Sequence, residues 1–340
     1  MKAAVYHGPA DIRIESVREP ERVAESEVMI EVTRAAICGT DSSEWAHGPL
    51  LAKPPVILGH EFVGRVVDVG SEVDGFAIGD RVSCGAGISC GECDWCREGR
   101  TNLCARYRTL GLQVDGGLAE YVVSPAGICR RVPDGVSDEA AATAQPLAVA
   151  LHAVRRSGVQ SGQSCVVIGA GGIGAFVVAG AAAKGVSPLV AVDIDDERLE
   201  TARRLGADRA LNVNGGDLTE AILSATDGEG PDVVIEASGA PHAPAAALAG
   251  VRRGGRVLLI GLQAAPRELD LLAFTTREVD LVTTLAHVCA VDLPDSLALL
   301  QSSDVADVVI DRVISLDDLV EAGIRPLAEG TAKGKIVVTP

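Results

Sequence analysis

The chain has 340 residues, 47% apolar, 23% charged and only 3% aromatic, a globular composition longer than one core usually supports. Its formal net charge is −17 and no basic run offsets it, which argues against binding to nucleic-acid backbones or to a membrane surface. Nine cysteines, with no apolar leader behind Lys2, favour metal binding over disulfides and a cytoplasmic location.

In chain order, the first 150 residues read as β-rich. Apolar runs at Val28–Val32, Val63–Val69 and Leu118–Val123 are separated by Gly, Pro and Asp turn signals, the texture of a small barrel or sandwich. Two polar patterns interrupt it, Ile37-Cys-Gly-Thr-Asp41 and Gly59-His-Glu-Phe-Val-Gly64. Taken singly, a cysteine in such a core is usually an inert thiol, and a His-Glu pair is usually a satisfied polar pair. Further on, Cys90, Cys93, Cys96 and Cys104 crowd into fifteen positions. Four thiolates at that spacing close a tetrahedral site with no open position, which is the structural-zinc pattern. An iron–sulfur cluster also accepts four cysteines. A nucleic-acid-binding zinc ribbon is opposed by Glu92, Asp94 and Glu98 within the lobe.

After about Leu147 the texture changes. Apolar strands at Cys165–Ile168, Leu189–Val192, Val233–Ala237 and Arg256–Ile260 alternate with Ala-rich helical stretches such as Glu197–Leu205, predicting a parallel sheet with helices on both faces. Cys165 to Ala183 is uncharged, yet five glycines interrupt it, so it reads as strand, tight turn and buried helix rather than a membrane span. That segment holds Gly169-Ala-Gly171-Gly172-Ile173-Gly174, a G-x-G-x-x-G between a strand and a helix. Gly169 permits the turn, Gly171 lets the backbone approach a pyrophosphate, and Gly174 allows helix to pack on strand. Asp193 ends the next strand, nineteen residues beyond Gly174. Its charge would accept ribose hydroxyls and repel a 2′-phosphate, favouring NAD over NADP. From about Ala290 the chain reads as helices at Leu293–Leu300 and Leu316–Leu327. A final strand, Lys335–Val338, is too isolated for a domain of its own and is expected to return to the first.

The order of Cys-Gly-Thr-Asp41, Gly59-His60-Glu61-x2-Gly64-x5-Gly70-x2-Val73, the four-cysteine lobe, Asp115-Gly-Gly-Leu-Ala-Glu-Tyr121 and the glycine turn resembles the zinc-dependent medium-chain dehydrogenase/reductase superfamily over essentially the whole chain. More narrowly it is similar to the branch of sorbitol, threonine and 2,3-butanediol dehydrogenases. The resemblance implies a GroES-like β-barrel catalytic domain, residues 1–149 and 289–340 with a zinc lobe at about 84–108. It implies a doubly wound Rossmann domain at 150–288. It further implies catalytic zinc on Cys38, His60 and Glu61, Thr40 taking the substrate proton, and structural zinc on the four cysteines. Asp193 and Arg198 match the family's ribose pair, and Ile173, Leu262 and Leu285 fall where its backbone touches the cofactor. The activity implied is NAD-linked interconversion of a secondary alcohol and its ketone, by a homodimer or homotetramer acting on a small molecule. A biosynthetic ketone reductase and a non-catalytic nucleotide binder are the rival readings.

Two positions depart from the branch. Ser43 stands five residues after Cys38, where His is common in a proton relay, and His47 lies four further on. Gln145 stands in Gln145-Pro-Leu147, where Glu is common. A neutral amide binds zinc poorly but can hydrogen-bond a zinc water. Both changes make a less hydrophilic pocket and a bulkier secondary alcohol the expectation, with Trp45 and His287 as further pocket candidates.

Overall fold

The computed structural model describes residues 1–21, 23–263 and 265–340 and divides into two compact units, Met1–Ala148 with His287–Pro340, and Val149–Ala286. In the first unit a seven-stranded sheet is built around Glu27–Ala36. Glu61–Val69 pairs with its full length on one edge. On the other edge Tyr121–Pro125 takes residues 27–31 and Lys335–Thr339 takes Ala35 and Ala36. Arg81–Cys84 and Cys129–Arg131 extend the sheet on one side and Ile310–Ser315 on the other. Lys2–Gly8, Asp11–Ser16 and Val56–Ile57 form a separate three-stranded sheet. The last strand therefore returns to the first unit.

The segment predicted as one helix over 316–327 is instead a 3₁₀ turn at Leu316–Asp318, a π-helical turn at Leu319–Ile324 and a short α-helix at Arg325–Ala328. Pro326 cannot donate the backbone bond that would continue a regular ladder, and Gly323 lies so close to Ile37 that a Cβ there would sit 2.3 Å from its Cδ1. The apolar spacing is helical, but close packing and a missing N–H break the period.

In the second unit six parallel strands run in the order Arg209–Asn212, Leu189–Asp193, Cys165–Ile168, Val233–Glu236, Arg256–Leu259, Asp280–Thr283. The three central strands are buried throughout, which explains their unbroken Val and Ile content. Val166, Val190, Val192, Val234 and Val257 pack with Leu218, Ile222, Leu248 and Val251 in one core, so β-branched residues do what few aromatics are present to do. The order reverses between Cys165–Ile168 and Val233–Glu236, and ligands of such sheets bind at the carboxyl ends of the strands near that reversal. The uncharged stretch at 165–183 is a strand, a turn and a twelve-residue helix, Gly172–Ala183. Among the described residues no helix is long and apolar enough to cross a membrane.

Four cysteines lie outside the two candidate metal sets. Cys84 and Cys129 face each other across neighbouring strands with their sulfurs 3.2 Å apart. Burial pushes Cys165 up to about 12 and Cys289 up to about 11. Those two stay as unreactive core thiols at neutral pH.

Candidate active site

Strand register gathers the metal donors. Ala36 pairs with Glu61 on one side and with Val337 on the other. The chain leaves its strand between those two neighbours, and Cys38 follows as the N-cap of the helix Gly39–His47. Cys38, His60 and Glu61 each present one ligand atom, and the three atoms lie within 4.8 Å of one another. His60 is 5% exposed and Glu61 1%. Glu61 Oε1 is buried and has no hydrogen-bond partner among the described residues. An orphaned carboxylate oxygen beside a thiol and an imidazole is costly unless a cation completes it. One sulfur, one nitrogen and one oxygen donor suit zinc that keeps a fourth position open.

The surroundings favour positive charge. Asp41 Oδ2 accepts the Cys38 N–H at 2.9 Å, and Oδ1 lies 3.8 Å from His60 Nδ1. Burial of His60 opposes its charged form, yet the negative charges of Asp41 and Cys38 outweigh it and hold the imidazole up at about 10. A cluster that keeps an imidazole that basic is one in which a cation is at home. Asp41 is a residue that sequence reasoning left without a role. Its signal was its place three residues into a helix begun by a candidate ligand, where a carboxylate reaches back to the N-cap.

Thr40 Oγ1 lies 3.7 Å from Cys38 Sγ. Thr40, Ser43 and His47 are spaced to share one face of Gly39–His47, running from its half-buried start to its exposed last residue. His47 thus joins that row through helical periodicity. The same helix is anchored by Glu44, fully buried, whose carboxylate accepts the N–H groups of Leu50, Leu51 and Ala52.

Cys90, Cys93, Cys96 and Cys104 form a second donor set, again with all ligand atoms within 4.8 Å. Cys104 Sγ accepts the backbone N–H of Cys90 at 3.2 Å and of Arg106 at 3.3 Å. Arg106 beside Cys90 draws its thiol down to about 6, so thiolate is at hand at neutral pH.

In the second unit, Gly169 has φ +89 and Gly174 packs so tightly that a Cβ would lie 1.7 Å from the Gly169 carbonyl oxygen. Gly171 caps the helix Gly172–Ala183 without a side-chain bond, and a Cβ there would meet only Arg198 Nη1, at 3.9 Å. That opening at a helix N-terminus is the cradle a pyrophosphate needs. Asp193 is 8% exposed; Oδ2 accepts the Ala170 N–H at 2.7 Å and Oδ1 that of Ile194 at 2.7 Å. The carboxylate therefore ties the glycine turn to its own strand end while Arg198 approaches the same turn. Ile173 lies half-buried in the first turn of the helix. Leu262 and Leu285 follow the carboxyl ends of Arg256–Leu259 and Asp280–Thr283 and are 84% and 54% exposed.

Two family models match the chain, an alcohol dehydrogenase GroES-like domain over residues 24–134 and a zinc-binding dehydrogenase over 172–302. Sorbitol dehydrogenase of Bacillus subtilis is 38% identical over 266 residues, covering 77% of this chain and 75% of the relative. An L-threonine 3-dehydrogenase of Burkholderia mallei is 34% identical over 99% of this chain and 97% of its own. The crystal structure of 2R,3R-butanediol dehydrogenase from Bacillus subtilis superposes with a TM-score of 0.91, at 31% identity, over 100% of this chain and 99% of that one. The chain belongs to the zinc-dependent medium-chain dehydrogenase/reductase superfamily, in its sorbitol and threonine dehydrogenase branch. It is a dehydrogenase acting on CH–OH donors.

The remaining pocket candidates of the dehydrogenase divide. Gln145 is 5% exposed at the start of the helix Ala144–Ser157. His287 is 3% exposed and rests on Gly85, where a Cβ would come within 3.1 Å of its Nε2. Val63 pairs with Ser83, so Gly85 and Glu61 lie at the same end of that strand pair and His287 is drawn toward the metal donors. Trp45 instead lies under Arg325, 5.4 Å from guanidinium carbon to ring centroid. Lys335 is a second residue passed over in the sequence. Its ammonium donates to the Ile37 carbonyl at 2.7 Å and to Glu61 Oε2.

Proposed function

We propose that the dehydrogenase interconverts a secondary alcohol and its ketone with NAD, using catalytic zinc at Cys38, His60 and Glu61 and structural zinc at Cys90, Cys93, Cys96 and Cys104. The observation that carries this reading is a Glu61 carboxylate with one buried, orphaned oxygen, in a residue whose ligand atom lies within 4.8 Å of the Cys38 thiol and the His60 imidazole. Bound there, zinc would supply Lewis acidity to the alcohol, and NAD would supply the hydride acceptor. Thr40, next to Cys38, is placed to accept the substrate hydroxyl proton, and Ser43 and His47 continue its face toward water. Asp41 holds the Cys38 backbone through its N–H and sets a negative charge beside His60. Gln145 and Ser43, both uncharged, favour a substrate with fewer hydroxyls than a polyol. The nine cysteines, none of them in a disulfide, support a reducing compartment, the cytoplasm.

The test is the initial rate of NADH formation by zinc-replete protein on polyols, vicinal diols, threonine and bulky apolar secondary alcohols, with NADP in parallel. Preference for bulky alcohols with NAD is the expected result; efficient turnover of polyols or threonine would overturn the substrate reading. In the same assay Asp193→Ser is expected to shift the NAD-to-NADP ratio of kcat/KM by about 10–100-fold toward NADP, the weight of one or two charge-assisted hydrogen bonds.

We also infer a homodimer or homotetramer. Asp280–Thr283 is an edge strand, paired only with Arg256–Leu259 among the described residues, and its Leu281 is 40% exposed. An open apolar edge of this kind is normally covered. Light scattering is expected to give two or four times the mass of the chain, and a monomer at micromolar concentration would refute it.

A further inference from the structure

Lys335 opens the last strand, and register sets it opposite Cys38. Val337 pairs with Ala36, and the Ile37 N–H donates to the Ile336 carbonyl at 3.0 Å. The lysine is 6% exposed. An ammonium so far from water persists only with a paired charge and well-placed acceptors. Here the acceptors are the carbonyl of Ile37, next to one candidate metal ligand, and Oε2 of Glu61, which is another. With a cation bound, one carboxylate would be divided between two positive charges. Oε2 belongs to Lys335, and Oε1, without a partner among the described residues, is left for the metal.

We propose that Lys335 is a positioning residue that limits how strongly Glu61 holds zinc, presenting a single carboxylate oxygen to the metal and keeping the loaded site electrophilic. This rests on reading Cys38, His60 and Glu61 as the zinc ligands. A thiolate and a carboxylate by themselves match the charge of a divalent cation. Lys335 adds one positive charge at hydrogen-bonding range of a ligand and so strengthens the field felt by whatever occupies the open position; Asp41, beside His60, works in the opposite sense. The lysine and the metal compete for Glu61.

That competition fixes a sign. If Lys335 merely anchored the last strand, removing it would loosen the site and speed metal loss. If it competes with the metal, removing it leaves Glu61 with no buried partner in the metal-free protein and both oxygens available in the loaded one. Metal binding then becomes stronger. The experiment loads the catalytic site with cobalt(II) and follows the decay of its visible d–d absorption in excess chelator, for the full chain and for Lys335→Met and Lys335→Arg. The Met variant is expected to release cobalt at least about tenfold more slowly, equivalent to about 1.4 kcal/mol, with a changed d–d band as the second oxygen joins. Its metal-dependent rise in Tm should exceed that of the parent chain, and Lys335→Arg should behave like the parent. Release at an unchanged or faster rate overturns the proposal. Should Lys335→Met not fold, Lys335→Gln, which keeps a hydrogen bond without the charge, is expected to slow release as well. If the parent chain takes up metal only at the four-cysteine set, the reading of Cys38, His60 and Glu61 fails instead, before any variant is made.

Discussion

Replacing Cys38 with alanine is expected to remove one of about two zinc ions per chain and to stop turnover while the chain stays folded. Cys38 supplies the sulfur of its donor set, and His60 and Glu61 alone leave zinc with two protein ligands. Losing the metal forfeits several kcal/mol of charge stabilisation, so kcat/KM should fall at least about a thousandfold. The fold has little at stake there. Cys38 is half-buried at the end of a helix whose start is held through the backbone by Asp41 and whose far end is held by Glu44. With both proteins stripped of the catalytic metal, stability should change by no more than about 1 kcal/mol, within the range of substitutions that leave no new cavity or unpaired charge. Elemental analysis, NADH formation and a thermal melt check the three parts separately. A variant that keeps both metals would place the catalytic ion elsewhere.

The glycine turn yields a prediction of similar size with a built-in control. Alanine at Gly174 would put its methyl 1.7 Å from the Gly169 carbonyl oxygen, a backbone atom that can yield only by moving the turn. We expect a loss of about 1–3 kcal/mol of stability, as for other overpacked positions, and NADH binding weakened about a hundredfold or more. Alanine at Gly171 meets only Arg198 Nη1, at 3.9 Å. It should leave the melting temperature unchanged and still weaken NADH binding, because the methyl would occupy the space that lets a pyrophosphate approach the helix N-terminus. Fluorescence titration with NADH and thermal melts of both variants decide the matter. Equal melts and equal affinities for Gly171→Ala and the parent chain would mean the dinucleotide lies elsewhere.

The local parts of this molecule were legible in its sequence, and the reason is physical. A turn that needs φ +89 at Gly169 and no side chain at Gly174 writes itself in glycine, and four thiols in one short lobe are close before any fold is known. Cys38, His60 and Glu61 could be named through the order of motifs, although only strand register shows why they meet. Lys335 could not. It lies 274 residues from Glu61, and nothing in an isolated Lys-Ile-Val-Val says which edge that strand will join. Asp41 was quoted as part of a motif and left idle, because its second contact, to His60, spans separate elements. The tail at 316–327 misled for the opposite reason. Its apolar spacing is helical, while Gly323 and Pro326 act through a neighbour and a missing N–H that periodicity does not register.

The pairing of Ala36 with Val337 also bears on how the protein is made. A chain emerging from the ribosome presents Glu27–Ala36 early, with half of one edge open, and completes all of Val149–Ala286 before the strand that closes that edge exists. The interrupted unit must wait with that edge open while the uninterrupted one is free to fold, since domains fold largely as units during synthesis. Zinc captured in that interval would meet Cys38, His60 and Glu61 without Lys335, which on the competition proposed above is the tighter-binding state. Arrival of the last strand would then relax the grip on an ion already in place.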